Sequence, residues 1–431
     1  MNKYLPRLLF DEIIKWLKRR EIIAIKGPRQ SGKTTLLLMI QDYLIEKERV
    51  NPKNVIFLTF EDRGILEKFS KSPKDFVSSF IRGQKNERFY FLIDEFHYLE
   101  EGGQKLKLLY DIFPNIKFII TGSSSLEIAG KTAKFLVGRM FSFYLYQFSF
   151  EEFIKAKSDQ LSYIYEERKN KVIDFILNGK DFKFTEDIFQ EDFRKLFEEY
   201  AIYGGYPEVV KAEDIETKKI ILKNIFETYI TKDIIELLRI NNLHKFRNLF
   251  ILLANQIGNL INYNSLSRDV QSYFREVKHF ISVLEETFII FLLRPYFSNK
   301  ITELKKNPKV YFVDIGLRNY ATNNFNELDL RGDIGQIVEN ICLFQLKVRY
   351  SDFPIKYWRT LAKAEVDFIL ELGNEIIPIE VKYSVEPKIS RSLRNFILEY
   401  KPKKVLVITR GFSGEEKINS SSVKFIPAWY L

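Results

Sequence analysis

The segment that most narrows what this chain can fold into is Gly27-Pro28-Arg29-Gln30-Ser31-Gly32-Lys33-Thr34. It fits G-x-x-x-x-G-K-[ST] and stands between an apolar run, Ile22–Ile25, and a helical stretch from Thr34 to about Ile45. A strand that ends in such a loop and passes into a helix turns successive backbone N–H groups toward one anion, and the helix N-terminus adds partial positive charge. Gly27 and Gly32 permit the curl. Lys33 is placed to reach the β- and γ-phosphates of a nucleotide, and Thr34 to ligate Mg²⁺. The expected nucleotide-binding residues are therefore Gly27, Pro28, Arg29, Gln30, Ser31, Gly32, Lys33, Thr34 and Thr35. A glycine turn with a stray lysine is the plainer alternative, and the strand–loop–helix setting argues against it.

A second apolar run, Phe89–Ile93, ends in Asp94-Glu95. Asp94 is expected to hold Mg²⁺ through Thr34 or water, and Glu95 to polarise the attacking water as general base. A solvated acidic turn would look the same in isolation. The run Ile116–Ile120 leads into Thr121-Gly122-Ser123-Ser124. Ser123 can hydrogen-bond a γ-phosphate or water there, although turn chemistry accounts for it equally. Arg139 is the nearby candidate for a charge-stabilising arginine; a surface arginine before a strand is the other reading. Ile22–Ile25, Val55–Phe60, Phe89–Ile93, Ile116–Ile120 and Phe141–Phe148 are five strand-like runs separated by helical stretches. They predict an α/β fold with a parallel sheet covered on both faces.

Beyond residue 150 the pattern changes. Residues 1–150 are read as the phosphate-loop domain, 151–240 as a charged helical lid broken at Tyr203-Gly204-Gly205-Tyr206-Pro207, 241–310 as a winged helix-turn-helix, and 311–431 as a second α/β domain. In the third segment one helix carries Phe246, Leu249, Leu252, Leu253 and Ile257, with Gly258 as its stop. A short helix follows from Asn264 or Ser265. A longer one, capped by Ser272, carries Val277, Phe280, Ile281 and Leu284. Strand-like runs come next, as in winged helices whose third helix enters the major groove. Residues 240–310 hold ten Lys/Arg and five Asp/Glu, half of the whole-chain excess of +10. Arg268, Arg275, Lys278 and Lys300 are the expected DNA-phosphate contacts. Internal packing is the alternative use of such a segment.

The last segment places Glu339 on a helix, Asp367 in one strand and Glu380-Val381-Lys382 in the next. Period-two geometry puts Glu380 and Lys382 on one face and points Val381 into the core. An acid two residues before a base is worthless alone, since about nine arise at random in this composition. The order helix Glu, strand Asp, strand Glu-x-Lys is what resembles the PD-(D/E)xK nucleases, in the Holliday-junction-resolvase-like branch, with Val366 where the name-giving proline would stand. Glu339, Asp367, Glu380 and Lys382 are the expected catalytic residues, with Asp367 and Glu380 as metal ligands. A degenerate fold whose acids are salt-bridged is the alternative.

Composition excludes several classes. One cysteine, Cys342, removes disulfide scaffolds and Cys-based zinc sites. Three dispersed histidines make a His-rich metal site untenable, so any catalytic metal should sit on carboxylates. Asp11 and Glu12 break the apolar N-terminal run, which does not read as a secretory leader. No apolar stretch reaches membrane-spanning length. A cytoplasmic protein without membrane contact is expected.

The motifs GPRQSGKTT, FLIDEF, TGSSS, LVGR with FSFEEF, YGGYPEVV, TYITKDI (Thr228–Ile234) and EVDFIL with IEVK together resemble one family. This is the archaeal and bacterial AAA-like, STAND-related ATPases that carry a C-terminal restriction-endonuclease-like domain of unknown function. The likeness covers nearly the whole chain. It departs at Phe96-His97, where the family often has Ile-Gln. The resemblance implies a P-loop ASCE/AAA-like ATPase core, ATP binding, a homo-oligomeric switch and a DNA-related role. The expected function is thus a Mg²⁺-dependent ATPase that binds DNA, branched or junction-like forms included, and couples ATP-driven switching to its nuclease-like domain. A regulatory switch with an inactive C-terminal domain and a protein-remodelling ATPase are the alternatives.

Overall fold

The computed structural model describes residues 4–81, 87–122, 135–184, 187–228, 242–296 and 306–431. These fall into two compact units, 1–147 with 286–289, and 148–285 with 290–431. The expected boundaries at 240/241 and 310/311 lie inside the second unit.

The first unit is built on five parallel strands: β1 (Ile22–Lys26), β2 (Val55–Thr59), β3 (Phe89–Asp94), β4 (Ile116–Gly122) and β5 (Met140–Tyr144). Their order is β2-β3-β4-β1-β5. Apolar runs form these strands because both faces are covered. Ile22 and Ala24 enter one core with Phe69, Phe91 and Phe118, whereas Ile23 and Ile25 enter the other with Leu36, Leu37 and Ile40. Each such fully buried aliphatic side chain contributes about 1.5–3 kcal/mol, so a charge at Ile23 would break the sheet at its centre. Ahead of β1 the chain forms a short helix, Leu8–Ile13, and a 3₁₀ turn, Ile14–Trp16.

Two features of this sheet position the site. All strands run parallel, so their C-terminal ends share one edge. In addition β4 lies between β1 and β3, with Ile25 opposite Thr121 and Ile93 opposite Ile120. The phosphate loop after β1 and the acids ending β3 therefore flank the end of β4.

Among the described residues the second unit opens with the helices Phe150–Lys157, Asp159–Asn178, Gln190–Tyr203, Pro207–Lys211 and Ile215–Thr228. The first starts at a reciprocal capping box between Ser149 and Glu152. Then come Leu243–Asn255, Tyr263–Asp269 and Phe274–Glu286, followed by an antiparallel ribbon of β6 (Ile290–Leu293) and β7 (Lys309–Phe312). Three helices and a ribbon are the arrangement that the spacing predicts. The chain ends in a mixed six-stranded sheet: β8 (Ile355–Arg359), β9 (Glu365–Leu372), β10 (Glu375–Lys382), β11 (Lys404–Thr409), β12 (Gly414–Ile418) and β13 (Ser421–Pro427), ordered β12-β13-β11-β10-β9-β8. The helix Ile334–Arg349 carries Glu339.

Candidate functional site

The phosphate loop begins where β1 ends. A Cβ on Gly27 would stand 2.0 Å from the Leu145 carbonyl oxygen, so only glycine fits. Gly32, at φ +92°, opens the helix Lys33–Glu46. Lys33 Nζ donates to the carbonyls of Gly27 at 3.1 Å and Pro28 at 2.8 Å, which folds the ammonium over the loop. Arg7, far upstream, holds the same loop: it donates to the Ser31 carbonyl at 2.7 Å and the Tyr146 carbonyl at 2.6 Å.

Asp94 is gripped from both sides. Thr34 Oγ1 donates to its Oδ2 at 2.7 Å, and Thr121 Oγ1 donates to its Oδ1 at 2.5 Å. The same Thr121 oxygen accepts the Glu95 N–H at 3.0 Å. Thr121 is fully buried and is a site residue that sequence reading missed. Thr34 and Asp94 meet as hard oxygen donors beside the loop, a pair that fits Mg²⁺.

Glu95 adopts the left-handed conformation, φ +50°, unusual for a side-chain-bearing residue and frequent at functional sites. Its Oε2 lies 2.9 Å from Nδ1 of the buried His97, a close electrostatic contact outside the angles of a directed hydrogen bond. Burial pushes the Glu95 carboxyl up, but His97, Lys33 and Arg29 together hold it below its ordinary value, so it is ionised at neutral pH. His97 packs against Tyr98 at 4.4 Å, and Tyr98 OH accepts from Arg29 of the phosphate loop at 3.4 Å. His97, where the sequence departs from the family pattern, thus stands beside Glu95.

Arg139 corrects an expectation. It precedes β5, whose Met140 pairs with Ile22 at the start of β1, so it lies at the sheet edge opposite the phosphate loop. There it contacts Asp111 at 3.3 Å. Ser123 and Lys300 lie outside the described residues. Thr35 is exposed on the first turn after the loop.

In the helical segment Arg268, Arg275 and Lys278 are exposed and form no ion pair among the described residues. Tyr273, just before the third helix, has 82% of its surface exposed. Val277, Phe280, Ile281 and Leu284 face inward, as expected.

The acid cluster of the C-terminal sheet is assembled, with additions. Lys382 Nζ lies 3.0 Å from Glu380 Oε1, and Asp367 Oδ2 accepts the Val381 N–H at 2.8 Å. Glu380 is buried and Val381 half-exposed, the reverse of the expected orientation. Tyr311 donates to Glu339 at 2.5 Å. Lys309, 1% exposed, bonds Glu339 at 3.1 Å and Glu365 at 2.5 Å. Burial pulls the Lys309 ammonium down, yet Glu339, Asp367 and Glu365 hold it above its ordinary value, so it is charged. Burial and the neighbouring Glu339 push the Asp367 carboxyl up against the pull of Lys309. Among the described residues no three His, Cys, Asp or Glu are arranged to hold a metal ion. Lys309 gave no signal in sequence, because a lysine opening a strand reads as solvated.

No helix is long and apolar enough to cross a membrane, among the described residues. A family model for an AAA domain matches residues 19–154. Two domains of unknown function match residues 194–328 and 334–431. An uncharacterized protein of Haemophilus influenzae is 26% identical over 428 residues, covering 98% of this chain and 97% of its own length. One of Methanocaldococcus jannaschii is 24% identical over 435 residues, covering 97% and 86%. Domain III of the Thermotoga maritima replication initiation protein DnaA is 15% identical over 52% of this chain and 94% of that domain, at a TM-score of 0.30, too low to bear on fold or function. The chain carries an AAA-like P-loop ATPase domain followed by a helical segment and a mixed-sheet C-terminal domain.

Proposed function

We propose that this chain is a Mg²⁺-dependent ATPase that binds DNA and changes its engagement of that DNA with nucleotide state. The observation that carries the ATPase half is the Asp94 carboxylate held between Thr34 and Thr121, with ionised Glu95 beside it. Mg²⁺ at Thr34 and Asp94 would neutralise charge on the β- and γ-phosphates. The loop N–H groups bind and orient the phosphates. Lys33 leaves its carbonyl partners to meet the γ-phosphate. Glu95 orients water for in-line attack and accepts its proton, with His97 fixing the direction of the carboxylate. The DNA half rests on exposed Arg268, Arg275, Lys278 and Tyr273 around the third helix. Assembly into a homo-oligomer belongs to the same proposal.

The test is ATPase rate alone and with single-stranded, duplex and four-way-junction DNA. Stimulation by one of them supports the reading and reveals the preferred form. No stimulation, together with no DNA binding even at low ionic strength, refutes the DNA half. A second reading has a switch whose C-terminal domain performs no chemistry. The ammonium of Lys309 among the acids favours it.

A further inference from the structure

We propose that Lys309 fills the cation position of the Glu339–Asp367–Glu380 cluster, and that the cluster anchors the β6–β7 ribbon instead of binding a divalent metal. The inference stands apart from the ATPase reading, because it concerns the second unit alone.

Mg²⁺ asks for near-octahedral oxygen ligation, usually from one or two carboxylates with several waters. Here each carboxyl is already engaged. Glu339 Oε1 accepts from both Lys309 and Tyr311. Glu365 is shared between Lys309 at 2.5 Å and Arg359 at 3.0 Å. Asp367 Oδ2 accepts a backbone N–H, and Glu380 Oε1 meets Lys382. Glu380 Oε2 is buried and without a hydrogen-bond partner among the described residues, yet no group of three carboxylates or imidazoles there is arranged to hold a metal ion. Lys309 already places positive charge against Glu339 and Glu365, beside the other two acids.

The turn after the helix Leu243–Asn255 adds to the anchor. Gly258, at φ +74°, packs its Cα against Glu339: a Cβ there would stand 3.3 Å from Glu339 Oε2. Its N–H bonds the Val310 carbonyl at 2.9 Å, and Asn259 accepts the Val310 N–H at 3.2 Å. The turn after the helix Leu243–Asn255 therefore rests on β7 and on Glu339 together. A lysine delivered by the ribbon into acids from a helix and a strand joins three elements at one buried point. Its worth is in holding them together, since removing one partner of a buried ion pair leaves uncompensated charge.

The experiment is Mn²⁺ binding to the nucleotide-free full chain, read by electron paramagnetic resonance, for wild type, Glu380→Gln, Lys309→Met and the Lys309→Met/Glu380→Gln double variant. Wild type and Glu380→Gln should take up the same Mn²⁺. Lys309→Met should take up one more ion per chain, absent in the double variant, and added Mn²⁺ should raise its melting temperature but not that of wild type. A bound Mn²⁺ present in wild type and missing from Glu380→Gln overturns the proposal. So does a Lys309→Met chain that is folded by circular dichroism and gains no ion. Should Lys309→Met fail to fold, the comparison of wild type with Glu380→Gln still decides.

Discussion

Replacing Thr121 with valine removes one oxygen and leaves the shape of the side chain unchanged. That oxygen donates to Asp94 Oδ1 at 2.5 Å and accepts the Glu95 N–H at 3.0 Å. A hydrogen bond to a charged group is worth about 1.5–3 kcal/mol, and a buried N–H left without a partner costs about 1–3 kcal/mol. Thr121 is fully buried, so water does not fully replace either bond, and a loss of about 3 kcal/mol in folding stability is expected. Asp94 keeps Thr34, but its second oxygen is released and Glu95 loses the bond that fixes its left-handed backbone. If about half of the lost energy is felt as misplacement in the transition state, kcat falls about tenfold. Urea unfolding measures the first quantity and steady-state ATP hydrolysis the second. Thr121→Ser keeps the hydroxyl and should retain most of the activity while losing some stability to the missing methyl. The reasoning is refuted if the valine variant hydrolyses ATP within twofold of wild type, or if serine is the more damaging change for kcat.

Other outcomes follow from the same geometry. His97→Ala removes the partner that holds the Glu95 carboxyl down and in place, so kcat should fall about tenfold with KM for ATP unchanged; a change confined to KM would contradict the positioning role. Reversing Arg275 and Lys278 to glutamate should weaken DNA binding and lower the slope of log affinity against log salt by about 1.8, with DNA-free ATPase unaffected; an unchanged slope removes both residues from the interface. Burial raises the Asp314 carboxyl to about 6 despite its bonds to the Gly205 and Leu317 N–H groups. A raised acid contributes stability that is complete below its ordinary value of 3.8 and is lost as pH climbs through about 6. The loss is about 3 kcal/mol between those limits, and Asp314→Asn should flatten it in urea unfolding at pH 4 and pH 7.

The first unit was legible because its strands are buried on both faces and so appear as uninterrupted apolar runs. The helical segment was legible through period 3.6 and a glycine stop. β12 escaped notice because Gly414-Glu415-Glu416-Lys417-Ile418 is an edge strand with an exposed, charged centre. β13 was hidden by Lys424, a buried lysine that pairs with Glu415 and Asp181. Sequence distance also misled. Arg139 follows the sensor-like segment in the chain, but strand polarity sends it to the other edge of the sheet. The partners of Lys309 are 30 and 56 residues away, and only the packing of β7 on β9 and the Glu339 helix brings them together. Thr121 was part of a quoted motif; its importance comes from the strand order, which places β4 between the loop and the acids.

Arg7 ties the nucleotide loop to residues that no loop motif includes. The AAA match starts at residue 19, so a chain trimmed to that boundary would retain every residue of the loop motif and lose the guanidinium that steadies the Ser31 and Tyr146 carbonyls. Such a fragment would look complete by motif and still hold nucleotide poorly. For this protein the functional domain starts upstream of its signature, at the segment that braces the loop from behind.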